Sequence, residues 1–148
     1  IVTYKEGLGV GYRHTDRLKR SRVNFPFGHG LSYTTFKLGK PSLSATELTS
    51  DAPVTVTVPV TLSLIHISVK SSVDRPLKEL KGFAKVTLAP GATADVEIPL
   101  DRDAFAYYDP ATKLWTVEPG KFEILVGTSS ADITARLPLT APAMSWKD

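Results

Sequence analysis

The chain has 148 residues, 42% apolar and 22% charged, with a formal net charge of +3 and no cysteine. That length fits one domain, or one domain with an additional segment, and the apolar fraction is enough to bury a core. Disulfides, thiolate metal sites and a cysteine nucleophile are excluded, and no apolar run approaches the ~20 residues that cross a bilayer.

Residues 1–40 read as an irregular arm. The chain opens on Ile1 rather than Met, and IVTYKEG lacks the basic start and apolar stretch of a leader. It therefore reads as a piece of a longer protein. YKEGLGVGYR, residues 4–13, allows a short strand or one helical turn, and its glycines oppose anything longer. Arg13, Arg17, Lys19, Arg20 and Arg22 then fall within ten residues. A basic run can bind phosphate backbones, but this one has no interleaved aromatics and no nucleic-acid motif. It reads as a solvated surface loop, with no nucleic-acid partner expected.

FPFGHGLSYTTF, residues 25–36, gathers four aromatics around Gly28-His29-Gly30. Glycines flanking a single residue suit a turn with positive φ. The aromatics could pin that turn to its neighbours or stack on a sugar ring. Packing is the commoner use of aromatics, so the stretch reads first as a structural joint.

From about residue 41 the texture is that of strands. VTVTVPVTLSL, residues 54–64, alternates at period two, with Pro59 marking an edge or a bend. FAKVTLAPG, 83–91, and ATADVEIPL, 92–100, read as two strands joined in a hairpin by a Pro-Gly turn. FEILVG, 122–127, reads as a buried strand, and ADITARLPL, 131–139, as a last alternating one. Short strands with turn residues between them and no helical periodicity imply a mainly β fold, an antiparallel β-sandwich carrying the N-terminal arm. Phe105, Tyr107, Trp115 and Phe122 are its expected core fillers.

The chain offers little catalytic chemistry. Asp101 and Asp103 stand two apart at a strand end, where turn capping outweighs calcium binding or an acid pair. Glu97 and Glu123 fall on outward faces. His14, His29 and His66 have no metal-ligand spacing, so no metal is expected. Gly30-Leu31-Ser32 does not continue into a nucleophile elbow. Gly28-His29-Gly30 is not followed by a glycine at position 33, so it is not a dinucleotide loop. No cofactor is implied.

Several long motifs nevertheless carry a resemblance. In order they are YKEGLGVGYR, FPFGHGLSYTTF, RPLKELKGFAKVTLAPG, FAYYD, and WTVEPGKFEILVGTSSADI, and together they resemble the C-terminal part of glycoside hydrolase family 3 β-glucosidases. The resemblance implies that residues 1–40 end an α/β domain and form a joint. It implies that 41–148 are a fibronectin type III-like, immunoglobulin-like sandwich. It also implies upstream catalytic domains as partners, and retaining hydrolysis of a β-glucoside by an aspartate nucleophile and a glutamate acid/base upstream of Ile1. No residue here matches that pair. Glu6, paired with Arg13, and the glycines Gly28 and Gly30 are then structural, while His29 and Tyr33 could reach the rim of the sugar site. The alternative is a stand-alone carbohydrate-binding or adhesion module. A secreted or periplasmic location is the first expectation, with a cytoplasmic one open. SLIHIS, 63–68, departs from the family pattern and reads like translated adapter sequence. It predicts weakened strand pairing between about 59 and 72 and an exposed sticky edge.

Overall fold

The computed structural model describes residues 7–18, 22–30, 37–60, 63–69, 73–89 and 91–147, with backbone alone at position 60 and at 63–69. One helical turn, α1 (Tyr12–Thr15), lies in the arm. The strands are β1 (Ser42–Leu43), β2 (Val54–Val60), β3 (Ser63–Val69), β4 (Glu79–Ala84) and β5 (Ala94–Leu100), then β6 (Tyr107–Asp109), β7 (Leu114–Val117), β8 (Gly120–Gly127), β9 (Ile133–Ala141) and β10 (Met144–Trp146).

Period-two patterning sets the two main layers. In β2, Val54, Val56 and Val58 are each at most 1% exposed while the threonines face outward. β5 lies antiparallel to β2 in a register that sets Leu100, Ile98 and Val96 opposite those three valines. These strands and β1 form one sheet, in the order β1-β2-β5. The facing sheet runs β4-β3-β8-β9 and contributes Phe122, Ile124, Val126 and Leu139 to the same core. Phe105 seals the core, edge-on to Phe122 with ring centroids 5.3 Å apart. A third sheet, β10-β7-β6, packs buried Val117 and half-buried Trp115, Met144 and Trp146 against this core.

Two sequence expectations are corrected. β4 and β5 are not a hairpin: β4 pairs with β3, and β5 pairs with β2 in the opposite layer. Residues 85–89 and 91–93 belong to the connection between layers, with Gly91 at φ 80°. In this pairing Val96, Ile98 and Leu100 are buried opposite the valines of β2, and register is set where one face is buried. The two layers approach closely at Gly82, where an added Cβ would stand 2.5 Å from Ile98 Cγ2. The second correction concerns SLIHIS. Its backbone is not an open edge but an interior strand, antiparallel to β8 from Leu64↔Gly127 to Val69↔Phe122 and to β4 on its other side. A short, β-branched run between two ready partners needs no ideal turn to be zipped in.

Pro59 sits as its chemistry demands. It lies beyond the last residue of β2 that β1 covers, so its missing N–H removes no ladder bond on that side, and its carbonyl accepts from Gly39 N at 2.7 Å.

The β6–β7 turn contains Lys113 at φ 58°, a left-handed conformation that costs an L-residue energy. Asp109 holds the turn, accepting from Ala111 N at 2.9 Å and from the Thr112 hydroxyl at 2.7 Å. The Thr112 hydrogen bond leads the causes that hold the Asp109 carboxyl below its usual range. Lys113→Gly removes the left-handed penalty while keeping this frame, and should stabilise the chain by about 1 kcal/mol, raising the calorimetric midpoint by ~3 °C.

Candidate functional site

The residues the sequence singles out converge on the place where the arm meets the outer face of the β4-β3-β8-β9 sheet. In β8, Phe122, Ile124 and Val126 face the core, so Leu125 must face outward. It is nevertheless only 1% exposed. Residues of the arm line a cleft together with it, so the arm supplies the second cover that a strand as apolar as FEILVG requires.

The arm is fastened there by several independent contacts. The Tyr12 ring stacks on Phe27 at 4.3 Å, and the Tyr12 hydroxyl accepts from Leu80 N on edge strand β4 at 3.0 Å. Ser130 N donates to Phe27 O at 2.8 Å. Asp16 Oδ2 lies 3.4 Å from Lys78 Nζ, within ion-pair reach, and the same Lys78 ammonium donates to Ser130 O. Arg17 reaches Asp74 at 3.3 Å.

Glu79 is the hub of this contact. Its carboxylate takes Arg75 at 2.7 Å, Arg13 of the arm at 3.2 Å and Lys81 at 3.8 Å, and its side chain is only 13% exposed. Burial by itself would raise the Glu79 pKa. The Arg75 hydrogen bond and the charges of Lys81, Arg75 and Arg13 outweigh it and hold the carboxyl below its usual range. For Lys81, burial leads and lowers its pKa, against the pull of Glu79. Arg75 is the most enclosed of the cations. It also donates to Phe105 O at 3.2 Å and lies 5.8 Å over the Tyr107 ring.

The expected site residues divide accordingly. Arg13 is in the clasp, but with Glu79 as partner. Its expected pairing with Glu6 lies outside the described residues, as does Tyr33. Arg13 departs from the reading of the basic run as a solvated surface loop, since it crosses to the largely enclosed Glu79, while Arg17 reaches Asp74 in an exposed pair. Gly28 adopts φ 84° and turns the loop so that His29 N donates back to Pro26 O at 2.9 Å. Gly30 has open space around it and no positive φ. The His29 ring lies 5.1 Å from Phe25, and His29 lines the cleft.

Sequence reading missed Glu79, Lys78, Asp16 and Ser130. The signal was available in the charge alternation of RPLKELK just before an apolar strand, where long polar side chains need partners once covered.

Elsewhere the acids are structural. Asp101 accepts from Ala104 N at 3.2 Å and caps a short 3₁₀ turn over Arg102–Ala104. Among the described residues, no three His, Asp or Glu side chains gather as metal ligands, and no helix is long and apolar enough to cross a membrane. Both tryptophans are engaged rather than offered as an open platform. Arg102 lies 4.3 Å over the Trp146 ring, and Tyr108 meets Trp115 edge-on at 5.6 Å.

Comparison with known proteins agrees with this architecture. A fibronectin type III-like domain is matched over residues 65–130. The thermostable β-glucosidase B of Acetivibrio thermocellus is 46% identical over 145 residues, which cover 91% of this chain and 19% of that protein. Among solved structures, a β-glucosidase from Kluyveromyces marxianus in complex with glucose superposes with a TM-score of 0.85 at 39% identity, covering 99% of this chain and 18% of that one. A GH3 β-glucosidase from Bifidobacterium adolescentis does so with a TM-score of 0.80 at 37% identity, covering 93% and 21%. The chain thus spans about a fifth of the length of the relatives it matches.

Proposed function

We propose that this chain, a homologue of the C-terminal part of glycoside hydrolase family 3 β-glucosidases that carries a fibronectin type III-like domain, braces the catalytic domains of such an enzyme and performs no chemistry itself. In this reading residues 1–40 end the upstream α/β domain and form the joint, and 41–148 are the sandwich. The retaining hydrolysis of a terminal β-glucoside is then carried out by an aspartate nucleophile and a glutamate acid/base of the upstream domains. The observation that carries the reading is the clasp at Glu79. This largely enclosed carboxylate is committed to three cations, and its ion pair with Arg13 binds the arm to the sandwich. A glycosidase needs instead two carboxyl groups facing each other across an open sugar-sized gap. So enclosed an ion cluster suits a joint that must stay rigid.

Purified 1–148 should give no turnover of an aryl β-glucoside above the buffer rate; hydrolysis by the fragment that tracks its concentration would refute the assignment. The adhesion-module alternative predicts a fluorescence change of Trp115 or Trp146 on titration with cello-oligosaccharides. The brace predicts none, because both rings are already occupied by Tyr108 and Arg102.

A further inference from the structure

The ion pairs that fasten the arm do not balance. Among the described residues of the joint, five cations (Arg13, Arg17, Arg75, Lys78 and Lys81) face three acids (Asp16, Asp74 and Glu79). Asp16 matches Lys78 and Asp74 matches Arg17, one to one. The whole surplus therefore gathers on Glu79, a single carboxylate facing Arg13, Arg75 and Lys81. All three side chains are at least partly withdrawn from water, so solvent screens the excess only in part.

The three cations are not equally occupied. Arg75 is fully engaged, with Glu79 at 2.7 Å, Phe105 O at 3.2 Å and the Tyr107 ring beneath it. Lys81 is not. Its ammonium stands 3.8 Å from Glu79, beyond hydrogen-bond distance. Arg13 gives one nitrogen to Glu79 at 3.2 Å, from a guanidinium with five N–H donors. Lys81 also sits at a break in the β3–β4 ladder. Ile65 pairs with Gly82 and His66 with Leu80, so Lys81 is the extra residue of a β-bulge. Bulges re-aim side chains and recur beside functional sites. Burial lowers the Lys81 pKa, and the charges of Arg75 and Arg13 press in the same direction against Glu79. An ammonium facing like charge in this way is short of an anion.

We infer that Lys81 and Arg13 form a binding site for a second oxyanion, a phosphate or a carboxylate, on the clasp at Glu79. Such a group brings negative charge and two or more acceptor oxygens, which match an ammonium and the remaining donors of a guanidinium. A cation would be repelled by the surplus, and a neutral hydroxyl would leave it uncompensated. The Lys81 and Arg13 side chains are 20% and 35% exposed, so a ligand reaches them without displacing Arg75. The oxyanion is either a free solute or an acidic side chain of the adjoining polypeptide. The inference goes beyond the bracing role, since it concerns a ligand of the clasp and needs no active enzyme.

The test is a titration of ¹⁵N-labelled 1–148 with inorganic phosphate, against sodium chloride at matched ionic strength. Saturable shifts should appear at the amides of residues 12–14 and 79–82, with a dissociation constant of about millimolar. Lys81→Met should weaken binding about 10-fold, the worth of one charge-assisted hydrogen bond, and Lys81→Arg should restore most of it. Glu79→Gln should tighten binding about 10-fold, because the anion then meets the same cations without a neighbouring carboxylate. A purely structural role for Glu79 gives the reverse, since a loosened arm would carry Arg13 away from Lys81. Shifts that chloride reproduces, that stay linear, or that Lys81→Met leaves unchanged would overturn the site, as would weaker binding in Glu79→Gln. The Lys81 pair of variants decides the matter should Glu79→Gln fail to fold.

Calorimetry on the longer polypeptide that contains this chain tells the two sources apart. Phosphate binding that Lys81→Met abolishes there marks a free ligand. Binding present in 1–148 but absent there marks an acidic side chain already in place. Turnover of the aryl glucoside is read separately, so failure of the brace and failure of the oxyanion site are distinguishable.

Discussion

Gly127→Ala lowers the thermal midpoint by about 10 °C, equivalent to ~3 kcal/mol, at the upper end of overpacking costs. Gly127 closes β8 where the register with β9 slips, pairing with Ile133 across the irregularity. A Cβ at this position would stand 2.1 Å from the Asp132 carbonyl oxygen and 3.0 Å from Ile133 Cα. These are backbone atoms, with no flexible side chain to swing aside. Asp132 is itself held, since its carbonyl accepts from Thr128 N at 3.1 Å and its amide donates to the Ser129 hydroxyl at 3.1 Å. The substitution must therefore displace the whole turn over 128–132, and with it Ser130, whose amide fastens the arm at Phe27 O. Differential scanning calorimetry measures the loss. Gly30→Ala is the control: nothing stands within 4 Å of that Cβ, so the midpoint should stay within about 2 °C. Equal effects at the two positions would mean that close approach at Gly127 is not the cause.

How much of this was legible follows from what each signal encodes. Alternation in VTVTVPV and ADVEIPL reports one buried face, and both strands form where their patterns lie. Alternation carries no information about which strand pairs with which. That is why 83–91 and 92–100, adjacent in sequence and joined by a Pro-Gly turn, read as a hairpin, although only Phe83 and Ala84 of the first run are strand, at the end of β4 in the layer opposite β5. Their true partners, β3 and β2, are set by summed burial across the sandwich. FEILVG reads as a buried strand, and the cover on its outer face, the arm over Leu125, is not legible in the strand itself.

The site was less legible than the fold for a related reason. Arg13 and Glu79 stand 3.2 Å apart in space but far apart in sequence, and single-sequence patterns resolve only local pairs. The basic run at 13–22 therefore read as solvated charge, because its acids lie on the other side of the joint. Asp101, whose partner Ala104 N is three residues away, is legible as a cap from the sequence. His29 was noticed because glycines flank it, yet the groups that give its surroundings chemical character, Asp16, Lys78 and Ser130, come from three other segments.

Glu79→Gln tests the clasp directly. A neutral amide keeps the shape but leaves Arg75, 7% exposed, and Lys81, 20% exposed, without their counter-charge. Breaking a buried pair from one side costs ~3 kcal/mol, because the remaining charge stays enclosed. The melting midpoint should fall by about 10 °C. The loss should also be local before it is global. With its tie to Glu79 gone, trypsin should cut after Arg13 and Arg17 markedly faster than in the parent chain, under conditions where the sandwich still resists. Unchanged cleavage there would mean that Tyr12, Asp16 and Phe27 hold the arm without the ion cluster.

The pH dependence of the parent chain follows from the same group. The folded-state pKa of Glu79 lies below its ordinary value of 4.5, so the folded state binds fewer protons than the unfolded one in that window. Its contribution is fully present above pH 4.5 and is lost as pH falls through the lower, folded value. The parent should therefore lose stability on acidification below pH 4.5 more steeply than Glu79→Gln, and the two curves should converge at the acid end. Lys81 acts at the opposite end of the scale. Burial lowers its pKa, so stability rises as pH climbs through its folded value toward 10.5. Lys81→Met removes that alkaline rise while leaving the acid limb, which separates the two titrations in a single set of urea melts.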